Sequence, residues 1–238
     1  MLNKVKRFFY FLTCTMIGLL GLQGSFAGYA LAADKADVWV YIKNDQVDNL
    51  RDILRAGLDP NIKKPEGDMP AIMQAVRDSA WKSFDVLLAS KSINLNLPNA
   101  YQETPLMYVA LTGELDRAKQ MISKGAEVNN LGWTPLHYAS LKGHLPVVQL
   151  LLSKGALPNA PSPDGTSPLM MAVQSKNFQV IQALINAGAD PAARNLEGKD
   201  AIDVALKQGN SDWANQMTKI VTDRRAKAKA NSTPEQDK

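Results

Sequence analysis

Apolar residues recur along most of this chain in short stripes of helical spacing, separated by loops of glycine, proline and asparagine. Val147, Val148, Leu151 and Leu152 form one stripe; Val180, Ile181, Leu184 and Ile185 form the next. Spacing of i, i+3 and i+4 puts each group on one face of a helix. Ahead of these stripes lie shorter helices opened by a Pro-apolar step: MPAIMQA (69–75), TPLMYVA (104–110), TPLHYA (134–139), SPLMMA (167–172) and DAIDVA (200–205). Their second positions are Pro70, Pro105, Pro135, Pro168 and Ala201, at successive spacings of 35, 30, 33 and 33. Closing loops recur in the same frame: GLDPN (57–61), SINLN (92–96), GAEVN (125–129), GALPN (155–159) and GADPA (188–192). One helix pair cannot bury its own stripe, so the units must stack into a solenoid.

Each marker has a local cause. Thr104, Thr134 and Ser167 stand where a helix N-cap is needed, and their hydroxyls can accept from orphan amides. The proline that follows sits at the first helical position, where its missing N–H costs nothing. Gly113, Gly143 and Gly209 fall between paired helices, while Gly125, Gly155 and Gly188 fall just past the second helix. Six helix pairs result, in units of about 35–66, 67–101, 102–131, 132–164, 165–197 and 198–222. The first pair, Asp37–Lys43 and Val47–Arg55, lacks the Thr-Pro start. The second is two residues longer than the third, an insertion assigned to Ser79–Trp81. The loop from Gly125 to Thr134 spans 9 residues where Gly155 to Ser167 spans 12. The last helix, from Ser211, carries polar residues on its outer side, as a terminal cap facing water requires.

A period near 33 residues carrying T-P-L-H resembles the ankyrin repeat, from about Ala36 to about Val221. The resemblance implies an all-α ankyrin-repeat solenoid of about six helix-turn-helix units with short β-hairpin-like finger loops. It also implies partner binding through the fingers and the exposed ends of the first helices, on a concave strip. Mapped by frame, the candidate partner-binding residues are Arg77, Tyr101, Leu111, Thr112, Leu131, Trp133, Leu141, Lys142, Gln174 and Ser175. Trp133 has two readings of equal weight: an outward anchor beside Leu131 and Tyr101, or an inward ring filling the space of three lost loop residues. Trp39, Trp81 and Trp213 read as core or capping residues, and Met107, Met170 and Met171 as core.

The N-terminus follows another pattern. Lys4, Lys6 and Arg7 precede an apolar run from Phe8 to Leu22, and Ala30-Leu31-Ala32 is a small-x-small cleavage site. Residues 1–32 read as a cleavable export signal, the run being short for a membrane span of about 20 residues. The single cysteine, Cys14, lies inside that run, so the mature chain suits an oxidising compartment without disulfides. Periplasmic residence follows as the expectation, with secretion as the alternative. Without Lys4, Lys6 and Arg7 the formal charge falls from +4 to +1, which argues against nucleic acid as a partner. The remaining excess, Arg224, Arg225, Lys227 and Lys229, opens a basic then polar tail at 223–238, assigned to disorder, with continuation of the last helix as the other possibility.

No catalytic, cofactor-binding or metal-binding set emerges. The two histidines, His137 and His144, occupy positions where the repeat uses histidine for local hydrogen bonds, and no zinc spacing, nucleophile elbow or phosphate loop is present. The expectation is a non-enzymatic, monomeric protein-interaction module without stable membrane insertion. The signal peptide, the opening DVWVYIKNDQVDNLRDILRAGLDPN and the shortened loop before GWTPLHYA resemble exported ankyrin-repeat proteins of Gram-negative bacteria. Some members of that group are linked to oxidative-stress defence, an implication of resemblance alone. The alternatives are an immunity or inhibitor protein that blocks a toxin or exported enzyme, and a secreted effector.

Overall fold

The computed structural model describes residues 37–231; the export-signal assignment, Cys14 and the last seven residues lie outside them. Twelve helices occupy the described residues. Residues 37–43 (α1) and Val47–Arg55 (α2) form the first pair. Then come Ala71–Arg77 (α3) with Trp81–Leu88 (α4), Pro105–Thr112 (α5) with Leu115–Ser123 (α6), and Pro135–Lys142 (α7) with Leu145–Ser153 (α8). Pro168–Ser175 (α9) with Phe178–Asn186 (α10), and Ala201–Lys207 (α11) with Ser211–Asn231 (α12), complete the series. The first helices α3, α5, α7, α9 and α11 pack in succession as an inner layer. The second helices, in contact as α2 on α4, α6 on α8 and α8 on α10, form the outer layer.

The stripes are buried between the layers. Val147, Val148, Leu151, Val180 and Leu184 have no exposed surface, Ile181 almost none, and Leu152 lies partly buried at the edge of the core. Met107 and Met170 are buried, while Trp39, Trp81 and Trp213 pack against the core from its margins. Arg117 joins the second unit to the third. Its guanidinium lies 4.3 Å from the Trp81 ring centre and bonds Glu114 at 2.6 Å, a cation–π contact worth about 1 kcal/mol where partly shielded.

Successive units share one register. In every pair from α3 onward the second helix begins at the same offset from the first, as from Ala71 to Trp81 and from Pro105 to Leu115. The residue at the turn between paired helices has positive φ throughout: Asp45, Ser79, Gly113, Gly143, Lys176 and Gly209. This corrects the frame of the second unit. Its N-cap is Pro70, because Met69 is held opposite Lys64 in an antiparallel two-residue ladder, Lys63–Lys64 (β1) with Met69–Pro70 (β2). The N-caps Pro70, Thr104, Thr134, Ser167 and Asp200 therefore follow at spacings of 34, 30, 33 and 33. No insertion lies at Ser79–Trp81. One extra residue lies after α4, where Ser92 takes the place of Gly125.

That place is set by a ladder of asparagines. Asn61 Nδ2 donates to Ser92 O at 2.8 Å, and its Oδ1 accepts from Asn94 N at 2.7 Å. Asn96 joins Gly125 O and Glu127 N in the same way, Asn129 joins Gly155 O and Leu157 N, and Asn159 joins Gly188 O and Asp190 N. Each rung satisfies one loop carbonyl and one loop amide of the following unit. Ala192 occupies the next rung position, one unit before the end of the solenoid.

Residues 223–231 continue α12 as helix, the other possibility the sequence left for the tail, while 232–238 lie outside the described residues; Arg224 donates to Ala189 O at 2.8 Å and Ile185 O at 3.2 Å, fastening the segment to the end of α10.

Candidate docking surface

Ten residues from the sequence define the surface to be placed. Arg77, Leu111, Leu141 and Gln174 stand seven residues after their N-caps, at equivalent points of α3, α5, α7 and α9, which pack in that order. Thr112, Lys142 and Ser175 follow them in the next row. Arg77, Thr112, Lys142 and Gln174 are exposed, and Leu111, Leu141 and Ser175 partly so. Val76, the neighbour of Arg77 on α3, is a core residue and adds nothing to the strip. Tyr101 and Leu131 share one position at neighbouring finger tips, 76% and 101% exposed.

The fingers follow one scheme with one exception. Asn99 N donates to Glu103 O, Ser162 N to Thr166 O and Asn195 N to Lys199 O, each closing a small hairpin. Asn99 Oδ1 accepts from Tyr101 and Glu103 amides, and Asn195 Oδ1 from Glu197 and Lys199 amides. Ser162 is thereby buried rather than displayed, its hydroxyl donating to Asp164. The finger start comes three positions after the ladder asparagine at Asn96–Asn99 and at Asn159–Ser162. In the shortened loop the two positions coincide in Asn129. Its side chain is spent on the ladder, and no such hairpin bond forms there among the described residues.

Trp133 answers to both of its readings in part. It is half-buried, edge-on to His137 at 5.3 Å and to Tyr138 at 6.4 Å between ring centres. The ring thus leans on its own helix and keeps one side open. His137 beneath it is buried. Nδ1 accepts from Thr134 N at 3.2 Å, which leaves Nε2 to donate to Thr166 O at 3.0 Å. Burial pushes His137 down to about 4, against the pull of the Thr166 carbonyl. His144 Nε2 donates to Leu111 O at 3.0 Å, so both histidines are joined to neighbouring units. Among the three capping hydroxyls, Ser167 Oγ accepts from Met170 N at 3.3 Å, Thr134 Oγ1 meets His137 Nδ1, and Thr104 Oγ1 is buried without a partner.

One cluster on this surface escaped the sequence reading. Glu103, just before the N-cap Thr104, accepts from Asn99 Nδ2 at 2.7 Å, from the Tyr108 hydroxyl at 3.1 Å and from the Tyr138 hydroxyl. Burial, then the Glu103 charge, pushes the Tyr108 phenol up to about 12; burial and the bond to Glu103 raise Tyr138 as well. Both remain protonated donors at any physiological pH. The signal available beforehand was the tyrosine at the same frame position of TPLMY and TPLHY. An open groove on the outer layer, between α2 and α4, has its acids matched: Asp48 with Arg51 at 3.5 Å, Asp85 with Arg117 at 3.7 Å. No group of three or more potential metal-ligating His, Cys, Asp or Glu occurs among the described residues, and no described helix is long and apolar enough to cross a membrane.

The family described as Ankyrin repeats (3 copies) matches residues 72–162, and that described as Ankyrin repeats (many copies) matches residues 141–185. A stretch of 91 residues is 34% identical to Alpha-latrocrustotoxin-Lt1a of Latrodectus tredecimguttatus, covering 38% of this chain and 6% of that protein. The likeness is confined to a small part of a much longer protein. Matched repeats over residues 72–185, set in two stacked layers of helices, make the described chain an all-α ankyrin-repeat solenoid.

Proposed function

We propose that this chain is a non-enzymatic protein-interaction module acting in the periplasm, with its partner seated across the fingers that end the second and third units and the first helices of the third and fourth. The observation that carries the reading is a row of exposed and half-exposed side chains: Tyr101 and Leu131 at adjacent finger tips, Trp133 just before α7, and Leu141 and Lys142 at the far end of α7. Tyrosine and tryptophan presented on a rigid scaffold are the raw material of interface hot spots. Export rests on the basic-apolar-small pattern of residues 1–32.

The test is crosslinking in a Gram-negative host. The chain, tagged at its C-terminus, is compared with a variant carrying Trp133→Ala, Leu141→Ala and Lys142→Glu. The reading expects the tagged protein in the periplasmic fraction and a crosslinked protein partner that the folded variant loses. Capture of the same partners by both would move the site elsewhere, and cytoplasmic retention would remove the compartment.

A further inference from the structure

The seam between the third and fourth units carries a carboxylate with no ion-pair partner among the described residues. The Glu103 carboxylate is partly buried, and its three donors, Asn99 Nδ2, the Tyr108 hydroxyl and the Tyr138 hydroxyl, are all neutral. Two of them bond Oε2 and one bonds Oε1. A carboxylate offers about four lone-pair sites, so one on Oε1 stays open while the group is held rigidly in place. Among the described residues no lysine, arginine or histidine lies within the 4.0 Å of an ion pair with Glu103. Arg77 on α3 is close enough for its charge to act on Tyr108, yet it is exposed and makes no such pair.

Aromatic rings flank this oxygen. Tyr108 and Tyr138 touch the carboxylate through their hydroxyls, and Trp133 stands edge-on to Tyr138. The loop between Asn129 and Trp133 lacks the hairpin bond its neighbours have, and Leu131 at its tip is fully exposed. An open carboxylate lone pair bordered by phenol hydroxyls suits a cation. Guanidinium and ammonium groups gain from a charge-assisted hydrogen bond to it. A carboxylate already ordered by three bonds loses little entropy when the cation arrives. An acidic side chain in the same place would meet like charge with no donor to offset it.

We infer that the partner segment presents a lysine or arginine next to an apolar residue, with the cation seated on Glu103 among Tyr108, Tyr138 and Trp133 and the apolar neighbour against Leu131 and Tyr101. The inference rests on the docking-surface reading above and specifies the chemistry of what docks there.

The probe is a phage-displayed library of random twelve-residue peptides, panned on the full chain. Winning peptides are resynthesised and titrated against the parent, Glu103→Gln and Trp133→Ala. Glu103→Gln keeps the shape and the acceptor oxygen while removing the charge, and circular dichroism confirms that each variant is folded. The expected result is enrichment of a basic residue beside an apolar one. Affinity should weaken at least tenfold when that residue is replaced by citrulline or acetyl-lysine. It should weaken equally in Glu103→Gln, with no further loss when both changes are combined. Peptides without a basic residue, equal binding by Glu103→Gln, or no binding peptide at all would overturn the inference. If Trp133→Ala still abolished binding in the first two cases, the docking surface would stand and only its cation preference would fall. Peptides indifferent to both variants would count against both. An empty panning would leave the docking surface to the crosslinking experiment alone.

Discussion

Gly113 and Gly125 bracket the same helix, α6, yet an alanine should cost different amounts at the two positions. Both have positive φ, +79° and +97°. An L-residue in that region costs roughly 1–2 kcal/mol on backbone grounds alone. At Gly125 an added Cβ would meet nothing within 4 Å, so that is the whole cost. At Gly113 the Cβ would lie 2.7–2.9 Å from three atoms of the His144 ring. The ring must swing away, and its hydrogen bond to Leu111 O goes with it. That bond is worth about 1 kcal/mol net, and lost packing adds to it. Gly113→Ala is therefore expected to destabilise by about 2–4 kcal/mol, and Gly125→Ala by about half that. Urea unfolding of the full chain, followed by far-UV circular dichroism, measures both, since the two sites belong to one repeat and open together. In a His144→Ala background the excess at Gly113 should vanish, a coupling of about 1 kcal/mol or more. Equal midpoints for the two alanine variants, or an excess that survives removal of the ring, would refute the reasoning.

Four further outcomes follow from the same geometry. Lys176 holds φ +58° at the turn position where three other units have Gly113, Gly143 and Gly209, so Lys176→Gly should raise stability by about 1 kcal/mol, read from the same urea curves. The unfolded chain protonates His137 near its ordinary value of 6.5 and the folded chain only near 4. Stability is therefore full above pH 6.5 and drains as the pH falls towards 4, by about 3 kcal/mol at most; His137→Met, which copies Met107 and Met170, should flatten thermal-melt profiles across that window. Leu151→Ala, at a site with no exposed surface, should cost about 2–5 kcal/mol, whereas Ser140→Ala should gain about 1 kcal/mol by removing a buried hydroxyl without a partner. A Leu151 variant melting with the parent, or a Ser140 variant melting below it, would show the core assigned wrongly.

The repeat itself was legible because it is local. Thr-Pro starts, apolar stripes and post-helix glycines each answer to backbone geometry within a few residues, and all recur in register. The second unit was misread by one residue for a related reason. Met69-Pro70 looks like Thr104-Pro105, but β1 pairs with Met69 and pushes the N-cap onto Pro70. The insertion assigned to Ser79–Trp81 was a consequence of that shift. The asparagines 61, 96, 129 and 159 were visible as a recurring letter, while their partners lie 26 to 33 residues away in the next unit. Helical continuation of the tail through 231 rests partly on a distant contact, the grip of Arg224 on the end of α10.

What the sequence determined alone was the unit: a helix pair of set length, its caps, its buried stripe and the necessity of stacking, all products of short-range sterics and apolar periodicity. What only the tertiary structure decided was how neighbouring units use each other. Asn129 serves the ladder rather than the finger because its partners stand in the following unit. Glu103 points at Tyr138 of the next unit, and that tyrosine is one of the two rings on which Trp133 leans. Local propensity is silent about groups a whole repeat apart. Stacking brings them within hydrogen-bond reach, and it places Glu103 on the candidate docking surface in that way.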